Sequence, residues 1–127
     1  MKMDHVAVWT ADLERLKSFY ETYFGAEAGA KYSNASTGFS SYFLVFSSGA
    51  RLEIMSAPGS AGPGGAERRA GLAHLAFCAG LETAVSELTE KLRNAGYTVA
   101  SEPRRTGDGY YESCVLDPDG NRVEITA

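Results

Sequence analysis

Two histidines and two glutamates stand at matching places in this chain. His5 opens the stretch HVAVW and His74 opens HLAFC, while Glu53 lies inside GARLEI and Glu124 inside GNRVEI. There is no other histidine in the sequence. Imidazole and carboxylate together form a mixed donor set that suits a divalent transition metal. Strand alternation puts all four on one kind of surface. In RLEIM (51–55), Leu52 and Ile54 share one face, and Arg51, Glu53 and Met55 share the other; in NRVEIT (121–126), Val123 and Ile125 oppose Arg122, Glu124 and Thr126. In HVAVW, Val6 and Val8 turn one way and His5, Ala7 and Trp9 the other; in HLAFC, Leu75 and Phe77 oppose His74, Ala76 and Cys78. The apolar faces need helices to cover them. A single strand His or Glu is ordinarily a solvated residue on the open side of an antiparallel sheet; the repetition sets these four apart.

The elements that must position them are themselves repeated. A shift of 71 positions carries Gly25 onto Gly96, Gly38 onto Gly109, Gly49 onto Gly120, Arg51 onto Arg122 and Glu53 onto Glu124, and nearer the front a shift of 69 sets residues 5–9 on 74–78. Each opening strand is followed by an apolar stripe at helical spacing: Leu13, Leu16, Phe19, Tyr20, Tyr23 and Phe24 in the first copy, Leu81, Val85, Leu88 and Leu92 in the second. Asp12 is placed to cap the first helix, and Gly25 and Gly96 stand where a helix C-terminus takes positive φ. YFLVF (42–46) with RLEIM, and YYESCVL (110–116) with NRVEIT, read as hairpins, the second turning on Asp-Pro-Asp-Gly. Residues 29–39 and 98–105 leave room for one more strand per copy. The expected architecture is α+β: two tandem βαβββ modules, residues 1–56 and 72–127, forming cupped antiparallel-type sheets with helices on the outer face. Residues 57–71, rich in Gly, Ala and Pro, read as a flexible linker within one domain, with a typical reach of about 20 Å. Two sheets folded into a cup would gather the four donors.

Composition excludes other classes. The net charge of −4 and pI near 5.1 provide no basic surface for nucleic acid or an anionic membrane. No apolar run approaches a membrane span, and MKMDHVAVWT lacks the zones of a signal peptide, so a cytoplasmic location is expected. Cys78 and Cys114 lie in apolar strand-like runs without CxxC spacing and are expected to be reduced, buried thiols.

With His, Glu, His and Glu marking the starts and ends of two βαβββ modules, and with the ending DPDGNRVEI, the chain resembles the vicinal oxygen chelate superfamily (glyoxalase/bleomycin resistance protein/dioxygenase) over nearly its whole length. It most resembles the glyoxalase I (lactoylglutathione lyase) branch. That resemblance implies that His5, Glu53, His74 and Glu124 bind a divalent metal (Ni, Zn, Co, Mn or Fe), that Glu124 is the catalytic base with Glu53 as its pseudo-symmetric counterpart, and that a homodimer shares sites between subunits. Four protein ligands leave an octahedral ion two free positions. This suits proton transfer next to a carbonyl through a metal-held enediolate, as on a hemithioacetal, better than an extradiol dioxygenase or a thiol-transferring resistance enzyme, both of which resemble three-ligand sites. An acyl-CoA epimerase has a similar ligand set, and a non-catalytic drug-binding protein of the same fold generally lacks one. Trp9 departs from the pattern, which tends to carry an arginine there for glutathione, so the cosubstrate is glutathione or another thiol. Arg104 and Arg105, before Gly107 and Gly109, read as cations on a flap that could meet an anionic substrate, against a solvated loop as the plainer reading; Arg68 and Arg69 in the linker read the same way. Arg51 and Arg122 could orient the glutamates, and Tyr42, Phe46, Met55, Tyr110 and Tyr111 are either pocket wall or packing.

Overall fold

The computed structural model of the chain describes residues 3–60, 72–107 and 109–127. The chain divides into two units, Met1–Gly62 and Pro63–Ala127, each with one helix and one sheet. In the first unit β1 (His5–Trp9) leads into α1 (Leu13–Phe24), followed by β2 (Glu27–Ala28), β3 (Tyr32–Asn34), β4 (Phe39–Val45) and β5 (Arg51–Ser56). The helix begins where Asp12 Oδ1 accepts the Arg15 N–H at 3.0 Å. It ends at Gly25, whose φ of 65° is left-handed, with the Ala26 N–H donating to the Tyr20 carbonyl at 3.2 Å. Its inner stripe, Leu13, Leu16, Phe19 and Tyr20, is buried against β4 and β5, where Leu44, Leu52 and Ile54 are buried too. Each such aliphatic or aromatic side chain contributes roughly 1.5–3 kcal/mol by leaving water.

The strand order of this sheet is β1-β5-β4-β2, with β3 also on β4. The extra strand expected within residues 29–39 is realised as two short pieces, β2 and β3, both antiparallel to β4. Between them the Gly29 N–H donates to the Phe43 carbonyl at 2.9 Å.

The second unit runs β6 (Leu75–Cys78), α2 (Glu82–Asn94), β7 (Val99–Arg105), β8 (Tyr111–Leu116) and β9 (Arg122–Thr126), in the order β6-β9-β8-β7. Both sheets are mixed rather than purely antiparallel, because the opening strand of each unit pairs parallel with the closing one, β1 with β5 and β6 with β9. Pro103 sits on β7, the outer strand, where a missing N–H costs no ladder bond. At the turn from β8 to β9, Asp117 Oδ1 accepts the N–H groups of Asp119 and Asn121, each at 2.9 Å, and Gly120 takes φ 83°.

Two expectations are corrected. Leu81 does not join the α2 stripe: it is the N-cap, with no side-chain capping bond, and is 67% exposed. The buried side of α2 is instead Val85, Thr89 and Leu92. Thr89 is tolerated there because its hydroxyl donates to the Val85 carbonyl and meets Ser113 Oγ, both at 2.6 Å. Of the two cysteines, Cys114 is buried and Cys78, at the end of β6, is exposed. Of the expected linker, residues 57–60 form a turn closed by the Ser60 N–H on the Ala57 carbonyl at 3.0 Å; residues 61–71, with Arg68 and Arg69, lie outside the described residues. Among the described residues, no helix is long and apolar enough to cross a membrane.

Candidate metal centre

The parallel register of β1 and β5 aligns Ala7 with Glu53. His5 stands two residues earlier on the same face, so its ring reaches diagonally toward the carboxylate, with Nε2 3.8 Å from Glu53 Oε2. The second unit repeats the offset. Ala76 aligns with Glu124, His74 stands two residues earlier, and its Nε2 lies 3.2 Å from Glu124 Oε2. Both carboxylates are sheltered, with side chains 15% and 20% exposed, while both imidazoles are near 40%.

Nitrogen and oxygen donors sit about 2.0–2.2 Å from such an ion, which sets two adjacent donors about 3 Å apart. The His74–Glu124 pair, at 3.2 Å, has that bite, while the His5–Glu53 pair, at 3.8 Å, is wider. Among the described residues no three His, Cys, Asp or Glu side chains are grouped around one point; each unit presents two of the four expected ligands.

The surroundings of the pairs differ. His5 Nδ1 lies 2.9 Å from Asp4 Oδ2, and the same oxygen is engaged by the Arg51 guanidinium. The hydrogen bond from His5, then that from Arg51, hold the Asp4 carboxyl below its usual range. Arg51 Cζ lies 4.4 Å over the Phe43 ring, and His5 meets Phe43 edge-on with centroids 5.2 Å apart. Arg51 is thus committed to Asp4 and Phe43. Around His74 the matching positions hold Ala73, Arg122 and Cys114, the last directly across the ladder from Glu124 as Phe43 is from Glu53. Burial pushes the Cys114 thiol up, away from the reactive thiolate. Asp4 lies outside the expected ligand set, although its place directly before His5 is readable in the sequence.

Trp9 is on the Glu53 face and 54% exposed. It meets Phe39 edge-on at 6.2 Å, and Phe39 meets the exposed Tyr32 at 6.0 Å, so an aromatic strip continues the face beyond the His–Glu pair. Arg104 and Arg105 part company. Arg104 Nη2 lies 3.8 Å from Glu112 Oε1, on the Glu124 face of β8. Arg105 pairs with Glu82 of α2 and lies 6.0 Å from the Tyr111 ring, which puts its guanidinium on the helix side, away from Glu124. The arginines end β7, and beyond them the Thr106 N–H donates to the Tyr110 carbonyl at 2.8 Å. Tyr42 and Tyr111 also belong to the helix side, their hydroxyls meeting Glu14 at 2.8 Å and Ser86 at 3.2 Å.

Residues 2–125 match the Glyoxalase/Bleomycin resistance protein/Dioxygenase superfamily, and the chain belongs to that family. It is similar to the Bacillus subtilis (strain 168) uncharacterized protein YqjT, 33% identical over 133 residues that cover 98% of each chain. Among solved structures, a glyoxylase/bleomycin resistance protein/dioxygenase domain from Frankia sp. EAN1pec superposes with a TM-score of 0.83 at 21% identity, covering 99% of this chain and 96% of that one. Glyoxalase I from Zea mays superposes with a TM-score of 0.77 at 22% identity over 98% of this chain, which spans only 44% of the maize chain. At such identities the superpositions establish the fold.

Proposed function

We propose that this chain is a metal-dependent lyase or isomerase of the glyoxalase I type, acting as a homodimer on a hemithioacetal of a thiol and a 2-oxoaldehyde. His5, Glu53, His74 and Glu124 hold one divalent ion, Ni, Zn, Co, Mn or Fe, and Glu124 moves the proton. The observation that carries this reading is the recurrence, in both units, of a His–Glu pair at the same register offset, with the imidazole Nε2 turned toward the carboxylate in each. When bound, the ion supplies Lewis-acid stabilisation of negative charge on the substrate oxygens. Glu124 takes the proton from the hydroxyl-bearing carbon and returns it to the former carbonyl carbon, so that a 2-hydroxyacyl thioester forms with no oxidant or reductant. Its shelter at 20% exposure keeps competing water from the carboxylate.

Trp9, Phe39 and Tyr32 bear on the thiol. An indole makes no charged hydrogen bond to a carboxylate tail, so a thiol with an apolar arm suits this face better than glutathione.

The test is elemental analysis of purified protein after chelation and reloading, together with turnover of hemithioacetals. About one ion per chain is expected in the wild type, with loss on His5→Ala. Glu124→Gln is expected to keep most of the metal affinity and to lose about 10²–10⁴-fold in turnover. A Glu124→Gln enzyme with full turnover removes Glu124 as the base. A wild-type protein that takes up no stoichiometric metal removes the enzyme reading in favour of a ligand-sequestering protein.

A further inference from the structure

The His–Glu pairs repeat, but their supports do not. A histidine that binds a metal must present a lone pair on one nitrogen. A carboxylate on the other ring nitrogen fixes both the tautomer and the plane of the ring. His5 has this arrangement: Asp4 Oδ2 lies 2.9 Å from Nδ1, while Nε2, on the Glu53 side, is 3.8 Å from the nearest carboxylate oxygen and beyond hydrogen-bond reach. Asp4 is itself held twice by Arg51, through the guanidinium on its carboxylate and through the Arg51 N–H on its carbonyl at 3.0 Å. Phe43 closes the group, edge-on to His5 and under the Arg51 guanidinium. His74 is preceded by Ala73, and Cys114 stands where Phe43 would be.

Resting on the reading that these histidines hold the ion, we infer that Asp4 is a positioning residue for His5, clamped by Arg51, a support that His74 does not share. A plain surface ion pair is the competing account of Asp4 and Arg51. Their side chains are 62% and 41% exposed, and pairs of that exposure stabilise a fold by little. The ordering of His5 is the larger effect to expect from them.

The test uses the full chain with Asp4→Ala, Asp4→Asn and Ala73→Asp, each checked for folding by circular dichroism. Zn²⁺ affinity is measured by competition with a chromophoric chelator, and the imidazole nitrogen chemical shifts are recorded on metal-free protein in mildly alkaline solution. Asp4→Ala is expected to weaken Zn²⁺ binding about 10–100-fold. Asp4→Asn loses less, because its amide oxygen still accepts from Nδ1–H, and Ala73→Asp tightens binding by giving His74 the same support. In the metal-free wild type His5 is expected as the Nδ1–H tautomer, turning into a mixture in Asp4→Ala while the His74 signals stay in place. Asp4→Ala with unchanged His5 signals and affinity within about twofold of wild type overturns the inference. A wild type that binds no Zn²⁺ defeats the metal reading alone, and the His5 signals still decide whether Asp4 positions the ring.

Discussion

Thr89 shows what one side chain can decide inside the second unit. Its hydroxyl donates to the Val85 carbonyl and so accepts from Ser113, both residues being buried. Thr89→Val keeps the shape but strands the Ser113 hydroxyl in the core, at a cost of about 1–3 kcal/mol. Ser113→Ala leaves the Thr89 donation intact and is expected to cost less, and the double variant to recover part of the loss. Urea unfolding of the four proteins checks this, and equal losses from the two single changes would contradict it. At this scale the donor residues were legible because their types and spacing occur twice. What escaped the sequence depends on contacts between strands. Phe43 meets His5 only through the register of β4 on β5 and β5 on β1. Arg104 and Arg105 go to opposite sides only because β7 continues through Pro103 to Arg105.

The two helices are capped unequally. α1 has Asp12 with its carboxylate on the Arg15 N–H, whereas α2 starts at Leu81, whose backbone has the extended N-cap conformation (φ −130°, ψ 144°) but whose side chain caps nothing. Leu81 is largely exposed, so little burial is lost by replacing it. Leu81→Asp is expected to raise stability by about 0.5–2 kcal/mol and to do so less at pH values where the new carboxylate is protonated; a lower thermal midpoint at neutral pH would refute the capping argument. The helices, the hairpins and the glycine turns were legible, since period and turn chemistry are local. The heptad-like spacing of Leu81 with Val85 misled because a cap position and a first-turn core position look alike in a leucine. The splitting of the extra strand into β2 and β3 was hidden for another reason: both pieces are too short to show alternation.

For the molecule as a whole, the repeat disclosed two βαβββ units, but the mixed character of each sheet was out of reach, since alternation says which face a residue takes and not which strand lies beside it. The proposed homodimer is expected to sediment at twice the chain mass of 13.6 kDa, and a monomer at every concentration would rule it out. The parallel closure of each unit also has a bearing on synthesis. Each His–Glu pair unites the first strand of its unit with the last, so neither exists as a pair until that unit is complete. Units fold in the order the ribosome delivers them. His5 and Glu53 can therefore be joined once residues 51–56 have emerged, while His74 waits for residues 122–126. A chain halted short of β9 would display the first pair finished and the second not at all.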